Sequence, residues 1–300
     1  MGSEKKLRSI GVHDGTFHAD EVVACALLIL FDLADAVRVV RTRDAPKLAE
    51  CEYVCDVGGV YDPAKKLFDH HQTQYTGELS SAGMILYYLK EKKILGADGF
   101  AFLHNTLVKG VDDHDNGRSP QLLGYFTFSH VIANLTPVSY EATEEQQREA
   151  FFEALDFTVG ILRRLWERYQ YNVGCRKIVG EVMKKYHTCL FFERGVPWLE
   201  SFFALGGEKH SALFLIMPAG SQWKLRGLPP DYVRRMEVRQ PLPKLWAGLL
   251  GEELKRVSGI KGAVFCHKGL FTSVWETKED AIKALEIVLK QNGIKNEDII

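Results

Sequence analysis

Residues 7–31, "LRSIGVHDGTFHADEVVACALLILF", decide the fold of the amino-terminal half. The opening predicts a short buried strand that ends in a glycine turn, and the continuous apolar run after it predicts a buried helix. "AVRVVRT", "YVCDVGGVYDP" and "KKLFDHH" predict three further strands, and "SSAGMILYYLKEKK" predicts a second helix with a serine cap. Strands that alternate with helices indicate an α/β fold built on a parallel sheet.

Polar side chains follow directly on these predicted strands. They are His13, Arg41, Asp56 and Asp69. Because parallel α/β sheets place their sites at the carboxyl ends of the strands, we expect these side chains to converge on one edge.

The carboxyl-terminal part has a different pattern. Residues 141–172 predict a long amphipathic helix, and after about residue 175 strand-like segments alternate with glycine and proline turns. A last strand pair leads into a helix with Thr277 as N-cap and Gly293 as its end. We therefore predict two domains, 1–172 and 173–300, the second of them smaller and of mixed α+β type.

Composition limits the classes of function. The chain of 300 residues has a formal net charge of −1, which argues against bulk electrostatic binding of nucleic acid but leaves room for a local basic groove. The six cysteines form no Cys-x-x-Cys pair, so we expect buried, reduced thiols. The longest apolar stretch, 22–31, is too short to span a bilayer, and no signal peptide is recognisable. The expectation is a soluble intracellular protein without a membrane partner. Cytoplasm, nucleus and mitochondrion stay open, and so does the oligomeric state, with a homodimer as one option.

Four clusters of imidazole and carboxylate groups carry the chemistry. They are "VHDGTFHADE" (12–21), "CDVGG" (55–59), "DHH" (69–71) and "VDDHDNG" (111–117). This donor set, without thiolates, suits Mn²⁺, Mg²⁺, Fe²⁺ or Zn²⁺. Any one of these residues alone is more often a turn, a cap or a surface group. Four clusters offer more ligands than one ion needs, so we expect two ions about 3.5–4 Å apart, with Asp56 or Asp112 as the bridge.

The order of these motifs resembles the DHH phosphoesterase superfamily and, within it, the melanocyte-proliferating-gene family, also labelled "metal-dependent protein hydrolase". The longer strings "VHDGTFHADEVVACALL", "CDVGGVYDP", "FDHHQ" and "RQPLPKLWAGLLGEEL" extend this resemblance from about residue 9 to residue 290. The resemblance implies a metal-binding catalytic domain, a carboxyl-terminal substrate-binding domain and an active site in the cleft between them. It further implies a two-metal phosphodiesterase, with manganese as the first expectation, that cleaves RNA or short oligonucleotides from the 3′ end.

The same resemblance assigns roles by motif position. The implied metal ligands are His13, His18, Asp20, Asp56, His70 and Asp112, with Asp56 in the bridging position. His71 corresponds to a histidine that approaches the scissile phosphate, and Asp69 to a carboxylate that orients an imidazole. In the implied mechanism, a water that bridges the two ions loses its proton and attacks phosphorus in line.

Four basic or imidazole side chains are candidates for substrate binding. Arg41 and Arg43 suit bidentate phosphate contacts, although pairing with Asp44 is the alternative. His267 and Lys268 follow a predicted strand and would reach a phosphate or a 2′-hydroxyl, the alternative being an exposed turn.

A further group of basic and aromatic side chains falls on one predicted strand of the second domain. Trp223, Lys224 and Arg226 would either contact nucleotides or simply alternate between the two faces of that strand.

One stretch departs from the family pattern. Where relatives have a glycine-rich substrate loop, this chain reads "GLFTSVWETKED". We expect the bulky Val274 and Trp275 and the acidic Glu276 to narrow that loop or to repel the substrate. Two alternatives to the exonuclease therefore remain. One is a metal-stabilised scaffold or sensor that has lost hydrolysis, and the other is a hydrolase of small phosphoesters.

Overall fold

The computed structural model describes residues 6–293 and divides into two compact units, Met1–Tyr169 and Gln170–Ile300. The division falls inside one long helix, Glu144–Lys185, which extends beyond the predicted end near residue 172. Cys175, Val179 and Met183 explain the extension, because their spacing of four residues places three buried side chains on one helix face. The predicted boundary at 172/173 stays a prediction.

The first unit is built on a sheet of five strands in the order β2-β1-β3-β5-β4. The strands are β1 (Lys6–Val12), β2 (Val39–Arg41), β3 (Cys51–Cys55), β4 (Tyr61–Asp62) and β5 (Leu67–Phe68). All neighbours pair in parallel except β4, which runs antiparallel to β5 at the edge. The prediction of an α/β fold with a parallel sheet is confirmed for this unit.

The first unit also contains helices, the last of which continues into the second unit. They are α1 (Ala19–Leu30), α2 (Ala45–Ala49), α3 (Ser81–Glu91), α4 (Ala97–Leu103), α5 (Lys109–Asp115), α6 (Phe128–Ala133) and α7 (Glu144–Lys185), with a 3₁₀ turn at Ala36–Arg38 and a π-helical segment at His104–Val108. Ten successive residues of α1 are buried, which explains why its apolar run is continuous rather than periodic. The main core joins α1 and α3 to the strands, and a small cluster around Leu48 and Val54 lies under α2.

The second unit contains a sheet in the order β6-β7-β8-β10-β9, in which β6 and β7 pair in parallel and the other neighbours are antiparallel. The strands are β6 (Cys189–Phe191), β7 (Phe214–Ala219), β8 (Gln222–Gly227), β9 (Ala263–Cys266) and β10 (Thr272–Trp275). The helices are α8 (Trp198–Ala204), α9 (Gly251–Ser258) and α10 (Lys278–Gln291), with 3₁₀ turns at Gly207–Lys209 and Lys244–Trp246. The predicted cap of the last helix is present, since the Thr277 side chain accepts a hydrogen bond from the Asp280 N–H.

The structure also bears on what the sequence predicted for the cysteines and for membrane-spanning segments. All six cysteines are free and buried, as predicted. Within residues 6–293, no helix is both long enough and apolar enough to cross a membrane.

Candidate metal centre

Three neighbouring strands deliver polar side chains to one edge of the first sheet. His13 follows β1, Asp56 follows β3 and Asp69 follows β5, and these three strands lie side by side in parallel. Asp56 has a left-handed backbone with φ of 55°, while its N–H donates to the Phe68 carbonyl at 3.0 Å. Such a conformation costs a non-glycine residue about 1 kcal/mol or more, so the surrounding contacts hold Asp56 in place.

His13 presents one ring nitrogen to two carboxylates. Its Nδ1–H donates to the Asp14 carbonyl oxygen at 2.8 Å, which leaves Nε2 at 3.1 Å from Glu21 Oε1 and 3.3 Å from Asp56 Oδ2. Burial lowers the pKa of His13, but the hydrogen bonds with Asp56 and Glu21 outweigh it and raise the pKa to about 10. Because the Asp14 carbonyl oxygen accepts from Nδ1, Nε2 is the nitrogen that would ligate a cation, which would displace its proton.

Glu21 fixes the loop that carries His18. Both of its carboxylate oxygens lie 2.9 Å from the His18 N–H, at the start of α1. A carboxylate in the first turn also interacts favourably with the helix dipole. His18 is exposed, yet one of its ring nitrogens belongs to a group of ligand atoms with His13, Glu21 and Asp56 in which all lie within 4.8 Å of one another.

His70 lies among three carboxylates. Its Nε2 is 3.1 Å from Asp115 Oδ2, 3.4 Å from Asp56 Oδ1 and 3.9 Å from Asp20 Oδ2. Burial and the neighbouring Asp56, Glu21 and Asp115 charges raise the pKa of Asp20 well above its ordinary value. For Asp56, burial also acts to raise the pKa, but hydrogen bonds with the His13 and His70 imidazoles outweigh it and lower the pKa.

Asp69 holds the His71 side chain. Its Oδ1 accepts from the His71 backbone N–H at 3.0 Å and lies 2.8 Å from His71 Nδ1, while its Oδ2 accepts from the Gly59 N–H at 2.6 Å. Asp69 is buried, whereas the His71 side chain is 63% exposed. This geometry is what a carboxylate that orients an imidazole requires, although the catalytic roles of both residues stay predictions.

Asp112 has contacts of a different kind from those of the other predicted ligands. Its Oδ1 accepts from the Ser80 N–H, the Ser80 hydroxyl and the Gly83 N–H at 2.7–3.0 Å, so this side chain from α5 caps the N-terminus of α3. Asp112 lies outside the groups of ligand atoms found among the described residues, whereas Asp115 lies within one. The role of Asp112 as a metal ligand therefore stays a prediction.

The two candidate arginines differ in their surroundings. The Arg41 guanidinium donates to the carbonyl oxygens of Gly15 and Gln147 at 2.5 and 3.0 Å and lies 4.7 Å from the Phe151 ring centroid. Arg41 therefore anchors the loop between His13 and His18.

Arg43 lies at the surface near the same loop. Its side chain is 65% exposed, with Nε 3.2 Å from Asp14 Oδ1. The alternative pairing with Asp44 is not observed for either arginine in residues 6–293, since Asp44 accepts from the Lys47 N–H and caps α2. An exposed guanidinium in this position can reach a ligand from solvent.

The remaining substrate-binding candidates belong to the second unit. The His267 ring packs 4.3 Å from the Phe271 ring and its Nδ1 accepts from the Gly269 N–H, whereas Lys268 is exposed. The expectation that Trp275 narrows a substrate loop is wrong. Trp275 lies in β10, is fully buried in the core of the second unit, and its indole N–H donates to the Ser273 hydroxyl.

A cavity of about 440 Å³ opens onto the metal-ligand candidates of the first unit. Its lining includes His18, Asp20, Asp56, His70, His71, His114, Asp115 and Ser129. Both Asp20 oxygens are buried without a hydrogen-bond partner among the described residues, and a buried carboxylate of this kind is costly unless a cation or donor meets it. Imidazoles and carboxylates around an accessible cavity fit a divalent metal.

Two members of this arrangement, Glu21 and Asp115, were absent from the predicted ligand set. Glu21 directly follows Asp20, and an acidic residue at that position is equally consistent with a helix cap. Asp115 lies three residues after Asp112 on α5, so both fall on neighbouring positions of one helix face. Recognition of residues 109–115 as helical would have pointed to Asp115, because the helical period brings it to the same side as Asp112.

Comparison with known proteins identifies the family of the chain. A model of the MYG1_exonuc family, described as an uncharacterised protein family (UPF0160), matches residues 9–289. The chain belongs to the MYG1 family. The membership predicted from the ordered motifs is confirmed.

Relatives in this family span bacteria and animals. The MYG1 protein of Chlamydia muridarum (strain MoPn / Nigg) is 52% identical over 287 residues, covering 96% of this chain and 98% of that protein. The MYG1 exonuclease of Homo sapiens is 31% identical over 326 residues, covering 95% and 86%. Among solved structures, RecJ in complex with Mn²⁺ from Thermus thermophilus matches with a TM-score of 0.27 and 14% identity, over 94% of this chain and 52% of that one. A TM-score of this size does not establish a shared fold.

Proposed function

We propose that this protein is a two-metal-dependent phosphodiesterase that removes nucleotides from the 3′ end of RNA or short oligonucleotides. Membership in the MYG1 family, whose human member is named an exonuclease, supports the coarser statement of a metal-dependent hydrolase of the nuclease type. Manganese is the ion that we expect first, with Mg²⁺, Fe²⁺ or Zn²⁺ as alternatives.

The sharing of two residues among three groups of ligand atoms carries the proposal. Asp56 belongs to the group with His13, His18 and Glu21 and also to a second group, and His70 joins that second group to a third. Overlapping groups of this kind suit two adjacent cations with a shared carboxylate between them. Two divalent ions would supply an activated water and would neutralise charge on the phosphoryl oxygens.

The residues around the site orient two imidazole rings and offer contacts to the phosphates of the substrate. The Asp14 carbonyl oxygen accepts from His13 Nδ1 and so keeps Nε2 beside Glu21 and Asp56, and Asp69 keeps the exposed His71 ring at the cavity. We propose that His71 contacts a non-bridging oxygen of the scissile phosphate. Arg43, exposed near the same loop, suits a bidentate contact with a neighbouring phosphate.

Hydrolysis of a short 5′-labelled RNA in Mn²⁺ tests the proposal. The wild type is compared with Asp56→Asn, with an EDTA arm, and with Asp156→Asn as a control on an exposed carboxylate of α7. We expect a ladder of 3′-shortened products from the wild type and from Asp156→Asn, and none from Asp56→Asn or in EDTA.

Two results would contradict the proposal. Equal activity of Asp56→Asn and wild type would remove Asp56 from the mechanism. A wild type that binds Mn²⁺ but releases no product from RNA or from a generic phosphodiester would favour the metal-stabilised scaffold instead. Product release from the generic phosphodiester alone would favour a hydrolase of small phosphoesters.

A further inference from the structure

Two cations of the second unit share one face of strand β8. Lys224 and Arg226 are two residues apart, so both side chains project to the same side of the sheet, while Trp223 and Leu225 project to the other. Across the ladder, Lys224 pairs with Met217 and Val274, and Arg226 pairs with Leu215 and Thr272. The alternation of faces considered from the sequence is therefore observed.

In the part of the chain that the structure describes, the sheet face that carries Lys224 and Arg226 is covered by helices on one half only. On the β6–β7 side, Leu215 and Met217 are buried in a core cluster with residues of α7 and α8. On the β8–β10–β9 side, the side chains are half-buried and lie outside the core clusters formed by the described residues. We call this second half the β8–β10 face; its residues are Lys224, Arg226, Phe265, Thr272 and Val274.

The cations of the β8–β10 face meet no counter-ion within the described part of the chain. Neither Lys224 nor Arg226 forms an ion pair with a carboxylate among residues 6–293, and Lys224 makes no hydrogen bond there either. Arg226 donates once, to the Arg235 carbonyl at 3.3 Å, and its buried Nε has no partner in the same range. Burial, joined for Lys224 by the neighbouring Arg226 charge, lowers the pKa of both side chains. Two adjacent like charges that are partly withdrawn from water are costly unless an anion meets them.

Aromatic rings lie beside these cations. The Arg226 guanidinium carbon is 5.4 Å from the ring centroid of half-buried Phe271 and 5.8 Å from that of Trp198. Phe271 in turn contacts His267, whose Nδ1 accepts a backbone N–H and so leaves Nε2–H as a donor in the neutral ring. Paired cations next to an accessible ring are the elements with which proteins hold single-stranded nucleic acid, cations for phosphates and rings for bases.

We propose that Lys224 and Arg226 form an anion site on the β8–β10 face that binds the phosphodiester backbone of a single-stranded oligonucleotide. The need for an anion follows from the two charges that the described residues leave unpaired. The choice of an oligonucleotide rests on the proposed function. Arg226 contacts one phosphate with its guanidinium, Lys224 contacts the next, and Phe271 offers a ring edge to a base.

Binding of a fluorescent 12-nucleotide single-stranded RNA to the full chain tests this site. Anisotropy is measured over a series of salt concentrations in EDTA, where the RNA is not cleaved. The test variant carries Lys224→Gln and Arg226→Gln. The matched control carries Arg234→Gln and Lys278→Gln, which remove the same charge from cations already paired with Asp231 and Glu193.

The expected result is a loss of affinity of about tenfold per lost contact in the test variant. The magnitude of the slope of log K against log salt should decrease by about 1.4, since each single-strand phosphate contact contributes about 0.7 to it. The control should change neither quantity appreciably. Unchanged affinity and slope in the test variant, or an equal loss in the control, would overturn the proposal.

Three additional experiments distinguish a loss of RNA binding from a folding defect, from binding of a small anion and from a loss of catalysis. Where the test variant melts below the control, Lys224→Gln alone should still lower the slope by about 0.7, and Lys224→Arg should keep it. Inorganic phosphate that competes as well as the RNA at equal phosphate concentration would indicate a small-anion site and would overturn the oligonucleotide assignment. A wild type that binds RNA through these residues but releases no nucleotides in Mn²⁺ would support this site and refute the proposed function. If the wild type cleaves RNA in Mn²⁺ but the test variant binds RNA as well as the wild type does, the proposed function is supported and this site is refuted.

Discussion

Asp20→Asn should stabilise the metal-free protein while weakening its response to metal. Asp20 is buried, neither of its oxygens has a hydrogen-bond partner among the described residues, and the His70 Nε2 nitrogen is 3.9 Å away. An unsatisfied buried group of this kind costs about 1–3 kcal/mol, and an amide carries no charge and adds a donor for the neighbouring carboxylates. We expect the free energy of unfolding in EDTA to rise by about 1–3 kcal/mol, or about 2–12 °C in Tm.

The effect has a defined pH dependence. Folding raises the pKa of Asp20, so the metal-free wild type loses stability as the pH rises above the ordinary aspartate range. Asparagine does not titrate. The gain from Asp20→Asn in EDTA should therefore be large near pH 7 and nearly absent below about pH 4, where the carboxyl group is protonated in both states.

Metal should narrow the difference in stability between Asp20→Asn and wild type, because the variant has the smaller response to metal. Mn²⁺ at a hundredfold excess over its Kd stabilises a protein by about 2.7 kcal/mol, and a tenfold weaker site leaves about 1.4 kcal/mol of that. Thermal unfolding of the full chain in EDTA gives the stability of the metal-free protein, and the same measurement in Mn²⁺ gives the stabilisation by metal. Asp14→Asn is the control, because Asp14 is 51% exposed in the loop before α1 and should shift the free energy of unfolding by less than about 1 kcal/mol. An Asp20→Asn protein that is less stable than wild type in EDTA, or that keeps the full metal response, would refute the reasoning.

Two further predictions concern the supports of the centre. An ideal Cβ at Gly83 would lie 2.3 Å from Asp112 Oδ2, so Gly83→Ala should displace this cap of α3 and cost about 1–3 kcal/mol in urea unfolding. Gly110→Ala, with open space at its Cβ, should instead stabilise by about 0.5–1 kcal/mol, and equal effects of the two changes would argue against the cap. Arg41→Gln should lower stability by about 2–4 kcal/mol and weaken Mn²⁺ binding, because two charge-assisted hydrogen bonds to the ligand loop are lost. Arg43→Gln should cost less than about 1 kcal/mol and leave Mn²⁺ affinity unchanged, and isothermal titration that shows the same loss for both arginines would contradict this division.

Much of the candidate centre could be predicted because it depends on local pattern and one topological rule. Short apolar runs end at His13, Asp56 and Asp69, and parallel strands bring their carboxyl ends to one edge. The side-chain contacts at that edge are harder to predict from the sequence. Asp112 and Asp115 are separated by one helical turn, and only the packing of α5 against α3 brings the Asp112 carboxylate to the backbone N–H groups of Ser80 and Gly83.

The sequence by itself determined the family, the parallel sheet of the first unit and the positions at which its polar loops begin, since these follow from hydrophobic periodicity and ordered motifs of short range. Tertiary structure alone decided which of the described side chains are buried without partners, which arginine is tied to backbone carbonyls, and that Trp275 fills a core. It also placed Lys224 and Arg226 together on a face where residues 6–293 supply no counter-ion. These properties depend on distances between residues far apart in the chain, and an amino-acid pattern carries no measure of such distances until packing sets them.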